Sequence, residues 1–275
     1  MQKAIIILLL MSSSLVYSQN KETEKILNEG KLLFRMEKGS WYGTDDMLAR
    51  FETKKDSIGG YLSYETAENK INTIFFSRFN SDEILIRYEF DSLPKPEPIK
   101  IDTLNKKATD LEKSLISIRQ DARGKAYSGN DDKFFTFFEN TSLNFIPVIT
   151  EKERNVFILT GPQVSGIVLI GNDYKLTYNK KNEFVKKDKI HNSILQFQYK
   201  SEKGESPIET TFHSHVITDY ISSTDICTLL LYKDFLEWKQ HIVIGEKYVS
   251  IFNLENESLF TMKTKDWKKI NEGKK

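Results

Sequence analysis

Ile208-Glu209-Thr210-Thr211-Phe212-His213-Ser214-His215, followed seven positions later by Ser222-Ser223-Thr224-Asp225-Ile226-Cys227, reads as a strand, a loop and the first turn of a helix. Threonine and phenylalanine suit a pleated strand, and Ser222-x-x-Asp225 ahead of Ile226, Leu229, Leu230 and Leu231 is a helix start. Residues at i and i+2 of a strand project from one face, so His213 and His215 stand side by side. An aspartate in the first turn of the next helix can reach the same point, which makes three candidate metal ligands. Three N/O ligands with one position left open is how catalytic zinc is held. A closed structural site normally takes four, mostly thiolates, and this chain has one cysteine. Plainer readings exist for each piece. His-x-His can be two unrelated polar side chains, incidental to a structural domain, and Ser222-x-x-Asp225 is equally a capping box.

Outward from this stretch, runs over 156–160, 166–170, 175–178 and 194–199 are strand-like, with Gly171-Asn172-Asp173 as a hairpin turn and a loop over 201–207. A helix is expected over 225–238, then a hairpin over 242–252 turning at 245–247, and a frayed basic tail from 263 on. Nearer the start, Ile26, Leu27, Leu32 and Leu33 predict a helix over 21–36, which Gly30 weakens, and Thr44-Asp45-Asp46 can cap a second short one. A three-stranded meander is expected over 58–90. The connector Leu93-Pro94-Lys95-Pro96-Glu97-Pro98 is stiff and extended, and an amphipathic helix over 104–123 follows, with Leu104, Ala108, Leu111, Leu115 and Ile118 on one face. The fold class is α+β: a mixed or antiparallel sheet with flanking helices over 146–275, preceded by a helix plus β-meander region over 19–145.

Residues 1–18 have the form of a secretory signal: Lys3, an apolar run from Ala4 to Met11, a serine cluster and Val16-Tyr17-Ser18 ahead of Gln19. The run is too short for a membrane span. Cleavage near Ser18/Gln19 makes the protein exported, periplasmic or secreted. It also removes Lys3 from 40 basic residues set against 39 acidic ones, leaving no net charge. Lysine and arginine are interleaved with acidic residues along the chain, so no basic face is offered to nucleic acid. Cys227 has no disulfide partner in the chain and reads as a small buried apolar side chain. His191 and His241 lie at element edges and read as surface or capping residues.

His213-Ser214-His215 and Ser222-x-x-Asp225 together resemble the JAMM motif of the JAB/MPN metalloprotease superfamily. The loop between them is one residue shorter than the usual form, and Val216 stands where that family generally has proline. The resemblance covers about residues 155–255. It implies that His213, His215 and Asp225 bind zinc, that Ser222 supports the oxyanion, and that the reaction is hydrolysis of an amide or isopeptide bond in a peptide or protein. The family's general-base glutamate precedes a glycine-containing strand, and here the corresponding stretch, Gln163-Val164-Ser165-Gly166, places Gln163 at that position. An amide can orient water but cannot take its proton near neutral pH, and loss of a general base costs about 10²–10⁴-fold in rate. Glu209 falls on the histidine face of the strand but roughly 13 Å from His213 at 3.3 Å per residue. The alternative is therefore a non-catalytic pseudoenzyme that binds a protein or cell-envelope partner. The whole chain also resembles exported proteins of Bacteroidetes-type bacteria, which implies export and no particular activity.

Overall fold

A computed structural model describes residues 2–201 and 206–272, with side chains from residue 21 on, as a mixed α+β protein built of antiparallel sheets and a few helices. The chain divides into two units, residues 32–199 and residues 1–31 with 200–275. A boundary at 145/146, as expected from the sequence, would cut a strand in which nine successive residues are paired.

Helix α1 (Gln2–Arg50) is continuous where two helices were expected. Asp46 does not cap a new start; it pairs with Arg50 one turn on, at 2.7 Å. The side chains of residues 1–18, where an export signal is expected, lie outside the described ones. No helix of the described residues is long and apolar enough to cross a membrane.

In the unit of residues 32–199, β1 (Ile58–Glu65), β2 (Ile71–Ser77) and β3 (Ile84–Phe90) form the expected meander, and β4 (Lys100–Asp102) adds to the edge of β3. Helix α2 (Asp110–Tyr127) starts later than the apolar period suggests. Asp102 Oδ1 accepts from the amides of Leu104 and Asn105 at 2.9 and 3.0 Å, which holds that segment in a turn and leaves Leu104 exposed. The cap is instead Thr109, which accepts from the Glu112 amide at 3.2 Å while Glu112 accepts from the Thr109 amide at 2.8 Å. Burial pushes the Glu112 carboxyl up, but the Arg87 guanidinium, 2.8 Å from both carboxylate oxygens, and the Thr109 amide outweigh it and hold it below its ordinary value.

Two faces of α2 serve two cores. Leu115 and Ile116 pack with Leu62, Ile74, Phe76 and Ile84 of the meander. Ile118, Ala122 and Ala126 pack with Phe145, Val156, Ile158 and Tyr174. The second sheet is antiparallel, in the order β5 (Thr141–Ile149), β6 (Arg154–Pro162), β8 (Tyr174–Tyr178), β9 (Phe184–Lys189), while β7 (Ile167–Gly171) pairs with β10 (Ile194–Gln198). Gly171-Asn172-Asp173 is thus not a hairpin turn between partners but a corner where the chain changes sheets. Gly171 has φ +107°, and a Cβ there would lie 2.2 Å from the Ser193 carbonyl oxygen, which accepts from the Asn172 amide at 2.9 Å.

In the other unit, β11 (Thr210–Ser214) runs parallel to β12 (Gln240–Ile244), joined by the crossover helix α3 (Ser223–Tyr232) that parallel pairing requires. The sheet continues antiparallel through β13 (Tyr248–Asn253) and β14 (Ser258–Lys263). The tail read as frayed is helix α4 (Thr264–Glu272); residues 273–275, like 202–205 of the expected loop, lie outside the described residues. α3 ends at Tyr232, ahead of a short 3-10 turn at Lys233–Phe235, so Trp238 is buried outside the helix. Gly30 is the contact of α1 with α3: a Cβ there would lie 2.7 Å from the Ile226 side chain and 3.0 Å from the Ser223 carbonyl oxygen.

Two predictions follow from this packing. Gly30→Val should lower the unfolding free energy by about 1–3 kcal/mol in urea, because Ile226 must move to admit the new side chain. Glu37, buried in α1 and accepting from the Asn144 side chain, has its carboxyl raised by burial to about 7, only partly offset by Arg119. A raised folded pKa favours the protonated form in the folded state, so this group costs stability as pH rises from about 4.5 to 7. Glu37→Gln should gain up to about 3 kcal/mol on the wild type between pH 4.5 and 8 in urea unfolding.

Candidate metal centre

Burial alternates along β11, with Thr211 and His213 inside and Thr210, Phe212 and Ser214 outside, and His215 continues the inner row one residue past the strand. The two imidazoles share a face, as the period-2 reading requires, with ring centroids 4.7 Å apart. The loop over 216–221 then returns the chain to Ser222, the N-cap of α3.

His215 Nε2 lies 3.3 Å and His213 Nε2 4.0 Å from Asp225 Oδ2. One donor atom from each of the three residues lies within 4.8 Å of the others, and all three are buried, Asp225 to 1 % exposure. These residues could hold a metal ion. Tetrahedral zinc with bonds of about 2.0–2.2 Å separates its ligand atoms by roughly 3.3–3.5 Å. The His215–Asp225 distance falls at that value, and His213 needs to close by roughly half an ångström. Two imidazole nitrogens and a carboxylate oxygen also suit zinc chemically.

Each of the three side chains is oriented from behind. His215 Nδ1 is 2.7 Å from the Tyr220 carbonyl oxygen and 2.7 Å from Thr218 Oγ1. A carbonyl only accepts, so Nδ1 carries a proton towards Tyr220, and Nε2 is the nitrogen that faces Asp225. Asp225 Oδ2 accepts from the Ser222 amide at 2.9 Å, while Ser222 Oγ accepts from the Asp225 amide at 3.0 Å and lies 2.9 Å from Thr224 Oγ1. The capping box is therefore formed, and it aims the Asp225 carboxylate at the two imidazoles.

His213 Nδ1 lies 2.8 Å from His241 Nε2, and His241 Nδ1 lies 2.7 Å from Thr211 Oγ1. His241 is no edge residue. It is fully buried, and burial, with His213 adding and Asp225 opposing, pushes its pKa down to about 3. The parallel register of β11 and β12 sets Thr211 opposite His241, across the α3 crossover, where no local spacing reveals it. The sequence signal was a histidine at the start of the apolar run 242–244, on an inward position.

Gln163 lies in the other unit, exposed in the turn after β6, its backbone N–H donating to the Asn140 carbonyl at 2.8 Å. Glu209 is exposed and paired with Lys239 at 2.7 Å, which holds its carboxyl low and engages it away from the centre. His191, also in the other unit, is buried rather than at the surface, 3.4 Å from Asp173 Oδ2. Cys227 is buried, as expected. A surface cavity of about 510 Å³ adjoins His215, lined by Val216, Thr218, Asp219, Gly245 and Lys247. Set against known proteins, the chain matches no family model, no curated protein and no solved structure.

Ser222→Ala removes the hydroxyl that caps α3, and should lower the unfolding free energy by about 1 kcal/mol in chemical denaturation.

Proposed function

We propose that this is an exported zinc protein with a centre of JAB/MPN type, in which His213, His215 and Asp225 hold one ion, and that it hydrolyses amide or isopeptide bonds. The observation that carries the reading is the convergence of two imidazole nitrogens and one carboxylate oxygen on a single buried point, with His215 and Asp225 fixed by backbone partners. When bound, zinc supplies Lewis acidity, lowering the pKa of water towards about 7 and polarising a carbonyl. The protein's own groups do the rest. The Tyr220 carbonyl and the Ser222 amide orient two of the ligands, and the buried walls exclude bulk water. The Ser222 hydroxyl, 2.9 Å from Thr224 Oγ1, is the donor for a developing oxyanion.

A second reading, a pseudoenzyme that binds a protein or cell-envelope partner, is favoured by Gln163, an amide where the family has its base, and by the engagement of Ser222 in the cap. Metal analysis and peptide assays separate the two. The purified protein should carry one equivalent of zinc, lost in His213→Ala and Asp225→Ala. Zinc with hydrolysis of peptide or isopeptide substrates supports the enzyme, and zinc without it the binding module. A metal-free protein whose stability does not respond to added zinc overturns both.

A further inference from the structure

We infer that His241 is the positioning residue of this centre, holding His213 in the tautomer that presents a lone pair on Nε2 to the ion. The inference rests on the zinc reading above. A neutral imidazole carries one N–H, so the row Thr211 Oγ1, His241, His213 has two self-consistent directions. In one, His241 Nδ1–H donates to Thr211 Oγ1 across 2.7 Å, and His241 Nε2 accepts from His213 Nδ1–H across 2.8 Å. His213 Nε2 then bears the lone pair. In the other, Thr211 donates to His241, His241 donates to His213 Nδ1, and the proton sits on His213 Nε2, where it blocks coordination. Only the first direction is compatible with an ion between His213 and Asp225, and it needs the acceptor that His241 supplies.

The placement is rigid. His241 is fully buried, its ring centroid 5.0 Å from that of His213 and 6.4 Å from the Trp238 indole, and its backbone is locked in the parallel ladder opposite Thr211. His215 obtains the same service from a backbone carbonyl. His213 instead obtains it from a side chain, so this half of the centre can be altered by substitution. Loss of such an outer partner typically weakens metal binding about 10–100-fold.

The test is zinc affinity, measured by competition with a chromophoric chelator, in the full chain. His241→Phe fills the space without an acceptor and should bind zinc about 10–100-fold more weakly. His241→Gln, whose side-chain oxygen can accept, should recover much of that loss. Thr211→Val keeps His241 and removes its acceptor; it should weaken binding several-fold even if His241→Phe does not fold. Nitrogen-15 spectra of the zinc-loaded protein should show the His213 Nδ1–H donating to a ring nitrogen of His241 in the wild type, a signature absent from His241→Phe and one that lost packing alone does not produce. Zinc affinities of His241→Phe and Thr211→Val within about twofold of a zinc-binding wild type overturn this inference alone. A wild type that takes up no zinc overturns it together with the zinc reading.

Discussion

Asp225 brings a carboxylate into a place with 1 % exposure, and the local structure is organised around that charge. An isolated buried carboxylate costs several kcal/mol unless it is compensated. Here the Ser222 amide donates to it, the start of α3 offers its positive end, and two imidazoles face the same oxygen. The compensation explains why helix start, strand end and loop meet at one point. Helix α1 comes close as well: Gly30 lies against Ile226, and Ser223 Oγ donates to Glu29 at 2.7 Å, so the first turn of α3 is also held from outside.

What could be seen in the sequence was local. Period 2 put His213 and His215 on one face, and the capping signature marked the start of α3 and with it Asp225. The mixed α+β class, the meander and the amphipathic helix α2 were visible from alternation, turn residues and helical period. Non-local pairing was not visible. His241 reaches the centre because β12 lies parallel to β11, and that register is set by a crossover whose geometry no short spacing encodes. The corner at Gly171 looked like a hairpin because its residues suit one; β8 finds its partner in β6 instead.

Three local signals had a different meaning in the fold from the one they suggest in the sequence. Gly30 looked like a weakness in a helix, yet it is the position at which another helix packs, where a side chain would not fit. Thr44-Asp45-Asp46 looked like a cap, but Asp46 is engaged by Arg50 one turn later. Leu104 continued the apolar period of α2 upstream, while Asp102 captured the local amides and ended the helix short of it. In each case a side chain that can bond to backbone, or pack without a Cβ, found a different partner from the one its neighbours in sequence suggested.

The unit that holds the centre is assembled from both extremes of the chain, with residues 32–199 set between them as an insertion. During synthesis its first strip of helix is made well before the sheet it belongs with. Trimming into residues 19–31 or into the C-terminal sheet removes part of the same unit. The intervening piece, by contrast, is one uninterrupted stretch of chain.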